Sequence, residues 1–160
     1  ELGISHVLER RRVFPHLTVM QNLVLGAWHP KAKEELSSSL SKVYKIFPKL
    51  ESRSSQLAHT MSGGEQQMLA IARGLMGLPK LLMVDEPFLG LSPLVVKDLI
   101  KIFKNVVSEG ISILFVEQNV RLALSMADRG YVLESGRLVV SGKSNELISS
   151  DKVKKVFLGS

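Results

Sequence analysis

The chain has 160 residues, of which 45% are hydrophobic and 22% charged, and this composition excludes an intrinsically disordered chain. Lysine and arginine number 21 against 15 aspartates and glutamates, so the net charge of +6 favours anionic partners such as phosphates, acidic lipid headgroups or nucleic acid. The absence of cysteine excludes disulfides, thiolate zinc sites and cysteine nucleophiles.

We expect neither a membrane-spanning helix nor a signal peptide in this sequence. The longest uninterrupted apolar stretch covers residues 23–28, whereas a membrane-spanning helix needs about twenty apolar residues. The chain begins at Glu1 without the basic start and apolar core of a signal peptide. We therefore expect no membrane span, and we expect the chain to be a piece of a longer protein.

Two helices are predicted in the first third of the chain. Thr18, followed three residues later by Gln21, has the sequence of a capping box and predicts a helix that ends before Pro30. Apolar residues recur every three or four positions over residues 34–47 and predict a second helix. The segment between them, residues 29–33, is predicted to be a loop.

The pattern then changes from helices to strands. Ser62 with Glu65 forms a second capping box that opens an amphipathic helix. Short apolar runs at 81–84 and 111–116 predict two strands, and an amphipathic helix at 93–107 lies between them. Strand, helix and strand in this order predict a parallel βαβ unit.

The last thirty residues predict a hairpin and a helix. Residues 130–134 and 137–141 flank Ser135 and Gly136, a pair typical of a tight hairpin turn. Residues 151–158 are predicted to form a final helix.

Polar residues follow both predicted parallel strands. Asp85 and Glu86 follow the first strand, and Glu117 and Gln118 follow the second. Open α/β sheets bind ligands beyond the carboxyl ends of their strands. A carboxylate there can hold Mg²⁺ and a neighbouring one can activate water, although the same residues also suit an ordinary strand end and turn.

Two glycines occupy the first turn of the helix that Ser62 caps. Gly63 and Gly64 each cost about 0.5–1 kcal/mol there relative to alanine, and a purely structural cap does not need them. Without side chains, the first backbone N–H groups are open to an anion such as phosphate. The alternative is an ordinary loop before an apolar helix.

Together these segments resemble the ATP-binding subunits of ABC transporters. Residues 61–66 are similar to the LSGGQ signature, with Met61 in the first place, and residues 81–86 are similar to a Walker B strand with its catalytic glutamate. Further segments resemble one branch, the LivF-type subunits of branched-chain amino acid importers; they are residues 9–19, 89–93, 116–119 and 127–133.

The resemblance implies roles for the signature residues. It implies that Ser62, Gly63 and Gly64, with Glu65 and Gln66 of the same motif, contact the γ-phosphate of ATP bound to a partner subunit. Each ATP site would then be built by two chains.

The resemblance also implies the catalytic and metal residues. Asp85 would hold Mg²⁺ and Glu86 would polarise the attacking water. Glu9 stands where most of the superfamily has a glutamine that contacts Mg²⁺. Gln118 stands where most members have a histidine that contacts the γ-phosphate, and an amide can still hydrogen-bond there.

The largest departure is the absence of a GxxxxGK[ST] Walker A loop. The nearest match, from Gly136 to Gly142-Lys143-Ser144, has one residue too many between its glycines and contains an apolar strand. We expect the true loop upstream of Glu1, so the chain alone should be inactive and its sheet partly uncovered. Phe88 and Ser92 depart from the usual serine and aspartate of the next loop.

The predicted fold is α/β, a P-loop NTPase-like ABC ATPase domain that is incomplete, with a parallel sheet core and a helical subdomain. Residues 1–160 form one partial domain, in which about 14–76 are the helical subdomain and about 77–160 the α/β core with its hairpin and terminal helix.

The resemblance implies an ATP-hydrolysing subunit that powers import of branched-chain amino acids, with ATP and Mg²⁺ as cofactors. Its partners would be a second ATP-binding subunit, identical or different, transmembrane permease subunits and, indirectly, an extracellular or periplasmic binding protein. It would lie on the cytoplasmic face of the plasma membrane, with no nucleic acid partner. The alternatives are a non-transport ABC protein in DNA repair or translation, and a non-catalytic truncated remnant; the substrate could also be another amino acid, an amide or urea.

Overall fold

The computed structural model of the chain describes residues 2–150 and residue 153. The chain forms two compact units, Glu1–Val116 and Glu117–Ser160.

The first unit contains a three-stranded parallel sheet. Its strands are β1 (Ile4–Val7), β2 (Leu81–Asp85) and β3 (Ser112–Val116), with β2 in the centre. The predicted parallel pairing of the strands at 81–84 and 111–116 is confirmed, since Val84 lies beside Phe115. Strand β1 was not predicted; it pairs with β2 so that Val7 lies beside Val84.

Four helices follow β1, and two of them begin at a proline. They are α1 (Val19–Gly26), α2 (Pro30–Glu34), α3 (Leu36–Ile46) and α4 (Pro48–Glu51). The prediction of a loop at residues 29–33 is wrong, because Pro30 starts α2. Proline suits the first helical position, since it lacks the N–H that would have no partner there and its φ is already helical.

Serine caps begin the two longest helices of the first unit. After a 3₁₀ turn (Ala58–Thr60), Ser62 caps α5 (Gly63–Leu75), and Ser92 caps α6 (Pro93–Ser108). The predicted apolar face of α5 is buried throughout and consists of Met68, Leu69, Ile71, Ala72, Leu75 and Met76. Helix α1 packs closely on α5, because a Cβ at Gly26 would lie 2.1 Å from the carbonyl oxygen of Arg73.

The two faces of the sheet differ in burial. On one face α5 packs on the sheet, where a Cβ at Gly74 would lie 2.9 Å from Val7 and 3.1 Å from Leu82. On the other face Ile4, Leu114 and Val116 are 49%, 45% and 58% exposed. The expectation of an uncovered sheet therefore holds for one face only.

The second unit is built on an antiparallel hairpin. It contains α7 (Val120–Met126), β4 (Arg129–Glu134), β5 (Arg137–Lys143) and α8 (Ser144–Ser149). The predicted hairpin is confirmed, and its turn has positive φ at Ser135 (48°) and Gly136 (75°), as a two-residue turn requires.

A small apolar core holds the second unit together and consists of Leu124, Val132, Leu147 and Val153. A final helix was predicted at residues 151–158. Val153 is helical and buried, and the other residues of that range lie outside the described residues. Within residues 2–150 and 153, no helix is long and apolar enough to cross a membrane.

Candidate functional site

Ser62 lies at the exposed N-terminus of α5 in a closed capping box. Its backbone N–H and its hydroxyl both donate to Glu65 Oε2, each at 2.9 Å, and its Oγ accepts the backbone N–H of Glu65 at 3.4 Å. The predicted cap is confirmed. In this cap the backbone N–H and the hydroxyl of Ser62 both donate to one oxygen of the Glu65 carboxylate.

The two signature glycines have different surroundings. A Cβ at Gly63 would lie 2.6 Å from Arg11 Nη1, the mobile end of a long side chain. Gly64 is buried, and a Cβ there would lie 2.8 Å from Cγ1 of Val95 on α6. The expectation that the cap has no structural need of both glycines is therefore wrong for Gly64, which lets α5 approach α6.

The acidic pair lies where β2 ends. Asp85 is the last residue of β2, and Glu86 follows with a φ of 46° while its N–H donates to the Val116 carbonyl at 3.0 Å. A positive φ at a non-glycine residue costs about 1–3 kcal/mol and occurs preferentially at functional sites. The backbone bond to β3 holds Glu86 in this conformation.

A cavity of about 260 Å³ lies between Glu86 and the signature helix α5. It is lined by Glu86, Leu89 and Gly90 after β2, by Gln67 of α5, and by Arg10 and Arg11. Gln67 directly follows the signature residues 61–66 and lies one helical turn after Gly63. Glu86 and the helix that carries the signature thus border one cavity of the first unit.

The arginines of this cavity, Arg10 and Arg11, have no predicted role, and their backbone is unusual. Arg10, Arg11 and Arg12 have φ values of 62°, 68° and 42°, so three successive residues are left-handed. Arg10 Nε pairs with Glu9 Oε1 at 3.3 Å, with both side chains largely exposed. The run of three arginines was the available signal, but their backbone conformation could not be predicted from it.

Arg73 of α5 fastens this arginine segment to the signature helix. Its Nη2 donates to the Arg12 carbonyl at 2.7 Å, and its guanidinium lies 5.1 Å from the Phe14 ring centre. Burial lowers the pKa of Arg73. Asn22 completes the contact, since it accepts the Phe14 N–H at 2.9 Å and donates to the Phe14 carbonyl at 3.0 Å.

The carboxylates that could hold Mg²⁺ follow neighbouring strands. Asp85 ends β2, and Glu9 lies two residues after the end of β1. Within the described part of the chain, no group of three or more His, Cys, Asp or Glu side chains could hold a metal ion. Because Mg²⁺ is commonly held by one or two carboxylates together with substrate phosphates, this donor set fits Mg²⁺ bound with a nucleotide.

The charge of Glu65 is stabilised by its surroundings. Burial alone would raise its pKa, but hydrogen bonds from Ser62 and the positive charges of Arg53 and Lys49 outweigh burial and lower the pKa overall. Arg53 Nη2 lies 3.2 Å from Glu65 Oε1. The Glu65 carboxylate is therefore fixed in place by hydrogen bonds and an ion pair. The side-chain amide of the next residue, Gln66, donates to the Ala58 carbonyl at 2.9 Å.

Gln118 belongs to the second unit and is exposed, two residues after the end of β3. The next residue, Asn119, caps α7 by accepting the Leu122 N–H at 3.0 Å. The two departures in the loop after β2 are explained locally. Phe88 is buried with its ring 5.9 Å from that of Phe103, and Ser92 caps α6 by accepting the Val95 N–H at 3.5 Å.

Comparison with known proteins gives the family. The ABC transporter family model matches residues 1–89. The chain is 46% identical over 157 residues to the high-affinity branched-chain amino acid transport ATP-binding protein BraG of Pseudomonas aeruginosa, and the match covers 98% of the chain and 67% of that protein. The chain belongs to the ABC transporter ATPase family.

A second relative agrees with this assignment, and a solved structure shows the same fold. The probable branched-chain amino acid transport ATP-binding protein LivF of Archaeoglobus fulgidus is 38% identical over 160 residues, with 99% of the chain and 67% of that protein covered. A nucleotide-free ATP-binding cassette from an ABC transporter has the same fold, with a TM-score of 0.80 at 24% identity, covering 99% of the chain and 69% of that structure. This ABC-type ATPase chain thus spans about two thirds of the length of its relatives.

Proposed function

We propose that this chain is part of an ATP-hydrolysing subunit that powers import of branched-chain amino acids. The observation that carries the proposal is the 46% identity to BraG over 98% of the chain, combined with a capped signature helix and an acidic strand end that border one cavity. The LivF relative, with the same named substrate class, supports it.

The signature residues would bind the terminal phosphate of ATP held by a second ATP-binding subunit, identical or different. Ser62 is exposed and its hydroxyl can donate to a phosphate oxygen. Gly63 leaves the first backbone N–H groups of α5 open apart from the Arg11 guanidinium. Gly64 lets the helix start against α6, and Glu65 and Gln66 hold the turn in shape.

The strand ends would carry out the hydrolysis. Asp85 and Glu9 would hold Mg²⁺, which when bound neutralises charge on the phosphates. Glu86 would orient and polarise the attacking water from the cavity that it lines with Arg10 and Arg11. Gln118 would donate an amide hydrogen bond to the γ-phosphate. The Walker A loop that completes such a site would be supplied by the complete subunit.

The helical segment would face the permease subunits. This segment is the predicted helical subdomain, residues 14–76, and the remaining core is residues 77–160. Its exposed apolar side chains include Phe14, Val24, Leu25 and Trp28, which are 49%, 40%, 46% and 71% exposed. Val24, Leu25 and Trp28 lie within five residues of one another at α1 and the segment after it, and exposed apolar side chains so close together suit a protein contact. The subunit would thereby be held at the cytoplasmic face of the plasma membrane, where an extracellular or periplasmic binding protein would act through the permease.

Uptake in cells tests the transported substrate. A strain that lacks the complete subunit should lose uptake of radiolabelled leucine, isoleucine and valine, and the wild-type gene should restore it. Uptake of an unrelated amino acid such as lysine serves as the control. Normal leucine uptake in the deletion strain, with loss of another substrate, would contradict the proposed substrate class.

A further inference from the structure

The hydroxyl of Ser62 has one proton, and that proton is committed to Glu65. A carboxylate can only accept hydrogen bonds, so in the 2.9 Å contact between Ser62 Oγ and Glu65 Oε2 the serine donates. The second bond at Ser62 Oγ, at 3.4 Å, is accepted from the Glu65 N–H. Both bonds of the hydroxyl therefore run to the same residue.

A phosphate oxygen would compete with Glu65 for this proton. Phosphate oxygens of ATP are acceptors, as the carboxylate is, and one hydroxyl donates one hydrogen bond at a time. The carboxylate also carries a negative charge next to the position that the phosphate would take. Phosphate binding to Ser62 thus requires the 2.9 Å bond from Ser62 Oγ to Glu65 Oε2 to break.

The released carboxylate oxygen would keep other partners. Glu65 Oε2 also accepts the Ser62 backbone N–H at 2.9 Å, and Oε1 lies 3.2 Å from Arg53 Nη2. Arg53 follows α4, and the side chain of Glu65 is only 18% exposed. Arg53 thus balances the carboxylate charge at Oε1, while Ser62 contacts Oε2.

We propose that Glu65 is a positioning residue that competes with nucleotide phosphate for the hydroxyl proton of Ser62. Arg53 is the counterion that stabilises the Glu65 carboxylate when the Ser62 hydroxyl turns to the phosphate. This inference rests on the proposed role of Ser62 in binding the partner subunit's ATP. Glu65 and Arg53 would together determine how readily the Ser62 hydroxyl binds the phosphate.

The first test replaces Glu65 by glutamine in the complete subunit. The Glu65→Gln amide oxygen can still accept the Ser62 N–H, as Gln21 Oε1 accepts the Thr18 N–H at 2.9 Å in the cap of α1. A neutral amide oxygen is a weaker acceptor than a carboxylate, so the hydroxyl proton is released more readily to phosphate, and the negative charge next to the phosphate is removed. We expect KM for ATP to fall about tenfold, the difference between losing and keeping one hydrogen bond to a charged group.

Glu109→Gln is the matched control, because Glu109 is exposed at the end of α6 and the substitution removes the same charge. It should leave KM unchanged. A KM in Glu65→Gln that is unchanged or higher would overturn the proposal.

The second test uses Arg53→Gln, an exposed side chain outside the helix that bears the signature. It should raise KM in the wild-type background and have no effect in the Glu65→Gln background, because its effect passes through the carboxylate. Equal effects in both backgrounds would contradict the role of Arg53 as counterion. This variant also keeps the proposal testable if Glu65→Gln does not fold.

Ser62→Ala separates this inference from the proposed function. If Ser62→Ala raises KM strongly while Glu65→Gln and Arg53→Gln do not change it, the phosphate role of Ser62 stands and the role of Glu65 falls. If Ser62→Ala leaves both KM and turnover unchanged, the proposed binding role of the signature is wrong.

Discussion

Four residues around the candidate site adopt a backbone conformation that side chains disfavour. Arg10, Arg11, Arg12 and Glu86 have φ values of 62°, 68°, 42° and 46°. Each costs about 1–3 kcal/mol, which the surrounding contacts must offset. For Glu86 and Arg12 those contacts are visible as the bonds to the Val116 carbonyl and from Arg73.

Arg10 is the residue at which this cost can be removed with least loss. Its side chain is 79% exposed, so the ion pair with Glu9 contributes little. Arg10→Gly should raise the free energy of unfolding by up to about 1 kcal/mol, because glycine adopts positive φ without strain. Chemical unfolding of the complete subunit measures the change.

Lys97→Gly on the exposed face of α6 is the control for this substitution. It replaces a long cation in an ordinary helical position and should lower stability by about 1 kcal/mol. Equal destabilisation by both variants would contradict a strained backbone at Arg10.

The signature glycines give a second prediction at this scale. Gly64→Ala should destabilise by about 1–3 kcal/mol, because its methyl group would meet Val95 Cγ1 at 2.8 Å. Gly63→Ala should cost little stability, since the Arg11 side chain can move away, but it should weaken ATP-driven dimerisation. Unfolding and light scattering on both variants separate the effects; the reverse order of stabilities would refute these assignments.

Helix caps were the elements that the sequence predicted best. Thr18 and Ser62 each form the reciprocal box that their spacing indicates, because a cap involves only residues close in sequence. One element that depends on distant contacts was missed. Strand β1, with the sequence Ile-Ser-His-Val, is too short and mixed for its pattern to stand out, and β2 gives it a partner.

The prolines were only partly interpretable from the sequence. The predicted helices end before Pro30 and Pro48, as expected, but each proline is also the first residue of a short helix that was not predicted. The cavity at the site shows the same limit, because Gln67 and Gly90 are far apart in sequence and only the fold brings them to one rim. The helix and strand that carry the motifs were thus predictable, and the side chains surrounding them were not.

The cap of α5 should make stability depend on pH. The pKa of Glu65 is lowered in the fold, so the cap contributes fully above the ordinary glutamate pKa and its contribution is lost as pH falls through the lowered value. Wild type should be more stable than Glu65→Gln at neutral pH, and it should lose this advantage as pH falls below the ordinary glutamate pKa and through the lowered value. An advantage that is constant with pH, measured by chemical unfolding, would argue against a charged cap.

At the scale of the whole molecule, the open face of the sheet and the length of the relatives are two separate observations. Ile4, Leu114 and Val116 expose about half of their surface on one face, and the match covers 67% of BraG. Together they support testing activity on the complete subunit and not on this chain alone.

The proposed hydrolysis depends on Glu86, which would activate the water that attacks ATP. Glu86→Gln in the complete subunit should reduce ATP turnover by at least about 100-fold, the usual contribution of a general base, while ATP still binds with wild-type affinity. Steady-state phosphate release and equilibrium nucleotide binding, measured on the same preparation, report both quantities. ATP turnover within a few-fold of wild type would show that Glu86 does not activate the water.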